Sequence, residues 1–324
     1  MKPLTRGVFL DIATVDSGDL DRSRLLGSLD HWDWFQLTKP EQIAERSADV
    51  NALLTNKCRI SRSVIESSPG LKLIALSATG TDNVDLNAAS DHGVAVCNIR
   101  DYCTGSVAQH VITLTLNLLT GLPWYIDDVR RGEWSKAVQF CLKDRPIREA
   151  CGLTFGVIGY GTLGRQSAVL AKALGMNVLV AERKGAQPRG GRVAFDEVVE
   201  RSDVLSIHCP LTDETRGMIN ADVFRAMKQD AYLINTARGA VIAAEDLADA
   251  LRAGEIAGAG VDTLDVEPPP ADHPLLASDI PNLIVTPHNA WGSKTARQAA
   301  LDHLANIVNA FQAGKPINVV NNLN

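Results

Sequence analysis

The chain alternates short apolar segments with amphipathic ones along most of its length. In the first hundred residues, apolar runs predict four strands, at 7–12, 50–55, 72–77 and 94–98. The stretches between them carry apolar residues at helical spacing and predict helices that start near Leu20, Pro40, Ser61 and Leu86. Short apolar strands that alternate with helices indicate a parallel sheet covered on both faces.

A second alternating series begins at Leu153. Its apolar runs predict strands at 155–158, 178–181, 204–208, 231–235, near Gly260 and at 283–285. Its amphipathic stretches predict helices at 163–174, 195–201, 221–227, 245–253 and 295–313. The last helix is long enough to return to the first series, so we expect a discontinuous first domain, residues 1–101 plus 292–324, with residues 102–291 inserted into it.

Two segments join the two series. A longer helix is predicted at 105–119, where apolar residues recur at helical spacing, and Gly121 with Pro123 ends it. The segment 124–147 has no clear period. It fits an arm at a subunit contact and an ordinary surface connection equally well.

Composition excludes several classes of function. The 324 residues are 45% hydrophobic and 22% charged, with a net charge of −6. Such a chain lacks the basic field that nucleic acid or an anionic membrane requires, and no apolar stretch approaches the roughly 20 residues of a membrane span. The six cysteines are scattered without a CxxC pair or a metal-binding spacing. We therefore expect a soluble cytoplasmic protein with no metal, no nucleic acid and no membrane partner.

A glycine fingerprint opens the second series. Gly159, Gly161 and Gly164 lie between a predicted strand and a predicted helix. In this context the first glycine permits a tight turn, the second lets the backbone approach a pyrophosphate, and the third lets the helix pack against the strand. The phosphates would then lie at the positive end of the helix. We predict a Rossmann-type, dinucleotide-binding domain here.

Glu182 ends the next predicted strand, roughly 20 residues beyond the fingerprint. Its carboxylate can accept hydrogen bonds from the ribose hydroxyls and would repel a 2′-phosphate, which favours NAD over NADP. Arg183 and Lys184 follow at once and offset part of that repulsion. The alternative is a solvated acid at a strand end, without a ligand.

Three residues after later strands predict the chemistry, namely Arg238, Glu267 and His288. An arginine stays charged at any working pH and can pair with a carboxylate or a carbonyl oxygen. Histidine can give and take a proton near neutrality, and a carboxylate bonded to its far nitrogen stabilises the protonated ring. Together with a dinucleotide, this set predicts reversible hydride transfer to a small keto acid.

These residues resemble the D-isomer-specific 2-hydroxyacid dehydrogenase family across essentially the whole chain. The matching segments are 78–85 (ATGTDNVD), 159–164 (GYGTLG), 208–212 (HCPLT), 235–239 (NTARG) and 286–288 (TPH). Within the family, the segments 179–186 (LVAERKGA) and 288–291 (HNAW) resemble the glycerate dehydrogenase, or hydroxypyruvate reductase, branch. The resemblance implies a ligand cleft between the two domains and a homodimer formed through the cofactor domain.

The resemblance also implies roles for the matched residues. Arg238 would bind and polarise the substrate, and Glu267 would pair with His288, the acid and base. Thr79 and Gly80 would offer backbone N–H groups to the substrate carboxylate. The substrate pocket would further include Trp291, which fits a core residue at the domain junction equally well. The dinucleotide would contact Thr104, Gly159, Gly161, Thr162, Leu163, Gly164, Glu182, Cys209, Thr236, Ala237 and Asp262.

Residues 1–101 plus 292–324 would then form the substrate domain, and residues 102–291 the NAD-binding domain. The expected reaction is the NAD-dependent reduction of hydroxypyruvate or glyoxylate to D-glycerate or glycolate. Two alternatives stay open. One is a family enzyme for another substrate, such as formate or phosphite. The other is an NAD-dependent corepressor scaffold, which the short stretch after Asn318 disfavours.

Overall fold

The computed structural model describes residues 4–322. Residues 4–103 form β1 (Arg6–Phe9), α1 (Ser23–Leu26), β2 (His31–Trp34), α2 (Ile43–Ser47), β3 (Ala52–Thr55), α3 (Arg62–Glu66), β4 (Leu73–Leu76), α4 (Leu86–Asp91) and β5 (Ala95–Asn98). Residues 104–291 begin with α5 (Thr104–Thr120), α6 (Leu122–Arg130), α7 (Glu133–Lys136), β6 (Thr154–Ile158), α8 (Thr162–Ala173) and β7 (Asn177–Val180). They continue with α9 (Phe195–Arg201), β8 (Val204–Ile207), α10 (Ala221–Ala226), β9 (Tyr232–Asn235), α11 (Ala244–Ala253), β10 (Gly258–Val261) and β11 (Leu283–Val285), and α12 (Lys294–Gln312) follows.

The chain folds into two compact units, one of residues 4–103 with 292–322 and one of residues 104–291. Each unit has one parallel sheet, with strand order β2-β1-β3-β4-β5 in the first and β7-β6-β8-β9-β10-β11 in the second. In both sheets the strand order reverses beside the first strand, as in doubly wound folds. The predicted fold class, two doubly wound parallel sheets with the second unit inserted into a discontinuous first one, is confirmed.

The first unit buries its sheet on both faces. On one face, the apolar side of α12, including Leu304, Val308 and Phe311, packs with Phe9 and Leu54. The other face is covered by apolar residues of α2, α3 and α4. Every residue of β3, β4 and β5 is buried, which explains why these strands are apolar throughout and do not alternate.

Two details of this unit differ from the sequence-based prediction. The edge strand β2 was missed, because its sequence His-Trp-Asp-Trp is half-buried and lacks an apolar run. The predicted helix start at Leu20 is wrong. The Asp16 carboxylate accepts hydrogen bonds from the backbone N–H groups of Gly18, Asp19 and Leu20, and this turn delays the helix until Ser23.

The second unit places the long helix α5 directly on its sheet. The buried side chains Val111, Leu114 and Leu118 share one core with residues of β6, β8 and β9. A Cβ atom at Gly260 in β10 would lie 3.1 Å from the Leu114 Cβ atom, so the glycine lets the helix lie close to this strand. One face of α5 is thus buried against the sheet, whereas Gln109 and Thr113 on the helix are exposed.

Residues 122–147, here called the arm, form α6, α7 and an irregular tail. Gly121, with φ of 64°, ends α5 and lets the chain turn into α6. Much of the arm's apolar surface is exposed, on Leu122, Ile126, Val129, Trp134, Val138, Phe140 and Ile147. A run of exposed apolar side chains of this size is typical of a surface that another molecule covers.

All six cysteines lie within the described residues and none forms a disulfide. Between residues 4 and 322, no helix combines the length and the apolar character that crossing a bilayer requires.

Candidate active site

The glycine fingerprint lies at the carboxyl end of β6, where the strand order of the second sheet reverses. Gly159 has φ of +91°, and a Cβ atom there would lie 2.5 Å from the Cys209 backbone nitrogen. A Cβ atom at Gly164 would lie 2.2 Å from the Gly159 carbonyl oxygen. These two glycines therefore let the turn, the neighbouring strand end and α8 pack together. At Gly161 a Cβ atom would meet nothing within 4 Å, so open space lies beside the helix N-terminus.

A cavity of about 530 Å³ opens in front of this turn. Its walls come from the ends of β6, β7 and β8, and they include Gly161, Glu182, Arg183, Arg192, Cys209 and Thr215. Burial raises the pKa of the Cys209 thiol to about 11, so this cysteine is a neutral apolar wall of the cavity. Ligands of doubly wound folds bind at this kind of crevice, so the position agrees with a dinucleotide seat.

Glu182 lies at the wall of this cavity and is not a solvated acid. Its side chain has 0% exposure and pairs with Arg189 at 2.8 Å and Arg192 at 3.2 Å. The Arg183 backbone N–H donates a third contact at 3.0 Å. These hydrogen bonds, led by the one from Arg189, lower the pKa of Glu182 to about 2. The carboxylate is therefore charged at every working pH.

Arg189 and Arg192 were missed by the sequence reasoning, which considered the adjacent Arg183 and Lys184 instead. The Lys184 ammonium lies 5.3 Å from the centre of the Phe195 ring. The signal that could have found the two arginines is a glycine- and proline-containing loop with basic residues directly after a strand-end acid.

His288 and Glu267 come together as predicted. The His288 Nδ1 atom lies 2.6 Å from the Glu267 Oε2 atom, and the other carboxylate oxygen accepts from the Leu264 backbone N–H at 2.9 Å. Because the carboxylate can only accept, Nδ1 carries the proton of this bond, and Nε2 is the imidazole nitrogen left for a reaction. The Trp291 indole donates to the His288 carbonyl oxygen at 3.0 Å. Histidine, glutamate and tryptophan thus form one connected group.

Asp262 fixes the loop that carries His288. Its buried carboxylate accepts hydrogen bonds from the Thr286 hydroxyl at 2.6 Å and from the backbone N–H groups of Asn289 and Ala290 at 3.0 Å. His288 itself has φ of 51°, which is uncommon for a residue with a side chain and which this loop holds in place. Asp262 thereby contributes to the position of the imidazole, and its predicted contact with the dinucleotide stays a prediction.

Arg238 follows β9, and its loop touches the loop that leads to Glu267. A Cβ atom at Gly239 would lie 2.0 Å from the Leu264 carbonyl carbon, so the two backbones are in direct contact there. The Asn235 side chain accepts from the Ala237 N–H and donates to the Arg238 carbonyl oxygen, both at 3.0 Å. The Arg238 Nη1 atom donates to the Ala237 carbonyl oxygen at 2.8 Å. These contacts fix the backbone at Arg238 next to the loop that leads to Glu267.

Two buried threonine hydroxyls near the strand ends lack a hydrogen-bond partner among the described residues, those of Thr236 and Thr263. Buried polar groups in native proteins are nearly always paired, so an unpaired one points to a bound ligand or water. Thr236 was predicted to contact the dinucleotide. Its unpaired hydroxyl, the open space at Gly161 and the Gly159 turn together fit a nicotinamide dinucleotide.

Two histidines outside the predicted site have defined roles. His273 is buried: its Nδ1 atom accepts from the Leu275 N–H at 3.2 Å, and Nε2 lies 2.8 Å from the Asp265 carboxylate. This contact pins the loop that contains Glu267. His208 is half-buried next to Cys209 in the cavity wall, with Nε2 2.9 Å from the Ser206 hydroxyl, and burial of its ring lowers its pKa to about 4.

The remaining predicted site residues lie at the expected loops and helix ends. Thr79 and Gly80 follow β4 in the first unit, where the Thr79 hydroxyl donates to the Ile99 carbonyl oxygen at 3.0 Å. Thr104 begins α5, and Thr162 and Leu163 begin α8. No group of three or more histidine, cysteine or acidic side chains that could hold a metal ion occurs in the described part of the chain.

Comparison with known proteins agrees with this geometry. Residues 112–290 match the family model described as D-isomer specific 2-hydroxyacid dehydrogenase, NAD binding domain. The chain is 45% identical to glycerate dehydrogenase of Methylorubrum extorquens over 281 residues, which cover 87% of this chain and 88% of that protein. It is 37% identical to hydroxypyruvate reductase of Blautia hydrogenotrophica over 320 residues, which cover 97% and 99%.

Among solved structures, the chain is similar to an NADPH-dependent glyoxylate/hydroxypyruvate reductase of Sinorhizobium meliloti, solved in complex with NADP and malonate. The TM-score is 0.80 at 27% identity, and the match covers 98% of this chain and 96% of that one. These relatives bear the names of enzymes, so the corepressor alternative is not favoured.

Proposed function

The chain belongs to the D-isomer-specific 2-hydroxyacid dehydrogenase family, and on that premise we propose that it reduces hydroxypyruvate or glyoxylate to D-glycerate or glycolate with NADH. The choice of substrate is supported by the names of the two relatives at 45% and 37% identity. The observation that carries the chemistry is the 2.6 Å contact between His288 and Glu267, beside the loop of Arg238.

In the proposed reduction, the His288 Nε2 atom gives its proton to the carbonyl oxygen of the keto acid. A dinucleotide held at the Gly159 turn and the N-terminus of α8 would supply the hydride that the carbonyl carbon takes up as the 2-hydroxy acid forms. Glu267 holds the ring by Nδ1 and stabilises the positive imidazole before transfer. The neutral imidazole then takes a proton from water. In the oxidation direction His288 accepts the hydroxyl proton instead.

Arg238 is proposed to bind the substrate through its guanidinium, whose planar fork can contact a carboxylate oxygen and the reacting carbonyl. The proposed role of Thr79 and Gly80, backbone N–H donors to the substrate carboxylate, rests on the family resemblance. Trp291 is proposed as a pocket residue, and its bond to the His288 carbonyl supports this position. The unit of residues 104–291 would be the NAD-binding domain, and the discontinuous unit the substrate domain.

Three further properties belong to the proposal. NADH is the preferred cofactor, because the charged Glu182 carboxylate lies at the cavity wall. The protein works in the cytoplasm, which agrees with six cysteines that form no disulfide.

The proposed assembly is a homodimer that covers the exposed apolar side chains of the arm. Light scattering of the parent and of Phe140→Asp tests the dimer, since the charge should shift the mass towards the monomer.

A steady-state assay tests the activity. Hydroxypyruvate, glyoxylate, pyruvate and formate are supplied with the matching nicotinamide, and turnover is followed by the absorbance of NADH. His288→Asn should lower kcat by about 10²–10⁴-fold, the range for loss of a general acid. Arg238→Ala should lower kcat/KM and raise KM. Both variants should bind NADH as the parent does. Parental turnover in either variant, or activity with formate alone, would overturn the proposal.

A further inference from the structure

The loop that carries His288 follows the least supported strand of the second sheet. Within residues 4–322, β11 is three residues long, lies at the sheet edge and pairs with β10 alone. Asp262, which follows β10, holds the loop from one side. A catalytic group that is displaced by about 1 Å can lose about 100-fold in rate, so the loop requires support from another element as well.

Helix α5 supplies this support through two side chains one turn apart. The Ser106 hydroxyl donates to the Ala290 carbonyl oxygen at 2.6 Å. The His110 Nε2 atom lies 3.0 Å from the Thr286 hydroxyl oxygen. Ser106 and His110 are four residues apart, so they lie on the same face of the helix. Thr286 and Ala290 are each two residues from His288, and α5 therefore holds the loop on both sides of the imidazole.

The directions of these hydrogen bonds follow from the Asp262 carboxylate. An ionised carboxylate can only accept, so the Thr286 hydroxyl donates to it at 2.6 Å. Towards His110 the Thr286 oxygen can then only accept, and Nε2 of that ring carries a proton. The His110 side chain is 20% exposed, so water competes little for this contact. Imidazole, hydroxyl and carboxylate thus form one chain of hydrogen bonds that ends at the backbone of Asn289 and Ala290.

We propose that Ser106 and His110 are positioning residues, which set the place of the His288 imidazole through the loop that carries it. This inference rests on the proposed function, in which His288 transfers the proton. His288 has φ of 51°, a conformation that a residue with a side chain seldom adopts by itself. The hydrogen bonds to Thr286 and Ala290 on its two sides keep it there.

Hydrogen exchange tests this support without any turnover. The backbone N–H groups of Asn289 and Ala290 are hydrogen-bonded, so their exchange reports how often the loop opens. In the Ser106→Ala/His110→Leu double variant, mass spectrometry of a peptide that spans residues 286–291 should show exchange at least about tenfold faster. The reason is the loss of two hydrogen bonds that close the loop.

Steady-state kinetics with hydroxypyruvate and NADH tests whether the support reaches the chemistry. In the double variant kcat should fall about 10–100-fold, while KM and the Kd for NADH stay within about threefold. His110→Leu alone should lower kcat about 3–10-fold, whereas His110→Gln keeps an N–H donor and should stay within about twofold. Ser106→Ala should also lower kcat. Because alanine is the better helix former, its melting temperature should not fall by more than about 2 °C.

Thr113→Ala is the matched control on the same helix. Its hydroxyl bonds to the Gln109 carbonyl oxygen on the exposed side of α5, so its removal should change neither exchange nor kcat. The positioning role requires both effects in the double variant, and faster exchange without a fall in kcat, or the reverse, would overturn it. Equal losses of kcat in His110→Leu and His110→Gln would overturn it too. A parent that reduces no keto acid would remove the proposed function, and exchange would still decide whether α5 holds the loop.

Discussion

Gly161→Ala separates cofactor binding from folding. Gly161 caps α8 with φ of −80° and ψ of −162°, which alanine can adopt, and the added methyl group meets no protein atom within 4 Å. The protein should fold, because the gain of about 0.4–1 kcal/mol from restricting the unfolded chain is offset by alanine's poorer capping of the helix N-terminus. The melting temperature should therefore stay within about 3 °C of the parent's.

The loss should appear in ligand affinity. The methyl group enters the open space beside the N-terminus of α8, where phosphate oxygens would accept from the first N–H groups of the helix. Displacement of one or two such charge-assisted bonds, at about 1.5–3 kcal/mol each, predicts a Kd for NADH at least tenfold higher. If the cofactor bound elsewhere, the added methyl group would leave the Kd for NADH unchanged.

Gly164→Ala should instead lower the stability of the fold. Its methyl group would lie 2.2 Å from the Gly159 carbonyl oxygen, a backbone atom that no rotamer change can move. Forced overpacking of this kind costs about 1–3 kcal/mol or more, so the melting temperature should fall by about 2–10 °C. Gly27→Ala is a matched control: it caps α1 with φ of −74°, and its Cβ atom would have no contact closer than 3.4 Å.

Circular-dichroism melts without cofactor and fluorescence titration with NADH give the two readouts. Parental NADH affinity in Gly161→Ala would refute the placement of the pyrophosphate at α8. Unfolding of that variant would refute the open space on which the reasoning depends.

Two further predictions concern the other parts of the site. Glu267→Gln keeps an acceptor for the Leu264 N–H but removes the charge 2.6 Å from His288, and both side chains are partly exposed. Since a charged hydrogen bond contributes about 1.5–3 kcal/mol, kcat should fall about 10–100-fold with little change in KM, and an unchanged kcat would count against the pair. His208 is neutral in the folded state because burial lowers its pKa to about 4. Below pH 6.5 only the unfolded chain takes up this proton, so folding stability should fall by about 2 kcal/mol between pH 6.5 and 5, as measured by urea unfolding. His208→Gln should lose that part of the slope, and an identical slope in both proteins would contradict the burial of this imidazole.

Patterns within the sequence predicted the elements whose causes are local. β4 is an uninterrupted apolar run because both faces of its sheet are covered. The glycine spacing placed the turn between β6 and α8, because close packing at Gly164 leaves no room for a side chain. The pairing of Glu267 with His288 was predicted because a carboxylate can stabilise a protonated histidine and because the family resemblance implies it. The structure brings the two side chains together.

What the sequence did not predict depends on contacts made after the chain folds. β2 is held at an edge by pairing with β1, although its own sequence has little apolar character. Arg189 and Arg192 reach back seven and ten residues to Glu182, and no periodicity encodes such a bend. His273 is buried and contacts the Asp265 carboxylate eight residues before it and the Leu275 N–H two residues after it. The local sequence around each of these residues does not predict these contacts.

The interruption of the first unit has a consequence for how the molecule is made. Its strands leave the ribosome early, but α12, which covers Phe9, Leu54 and Ala75, is translated only after residues 104–291. Residues 104–291 are contiguous, so their core can close while the chain is still growing. Synthesis of the first unit thus begins before that of the second unit but is completed after it. The apolar face of its sheet stays uncovered until α12 emerges from the ribosome.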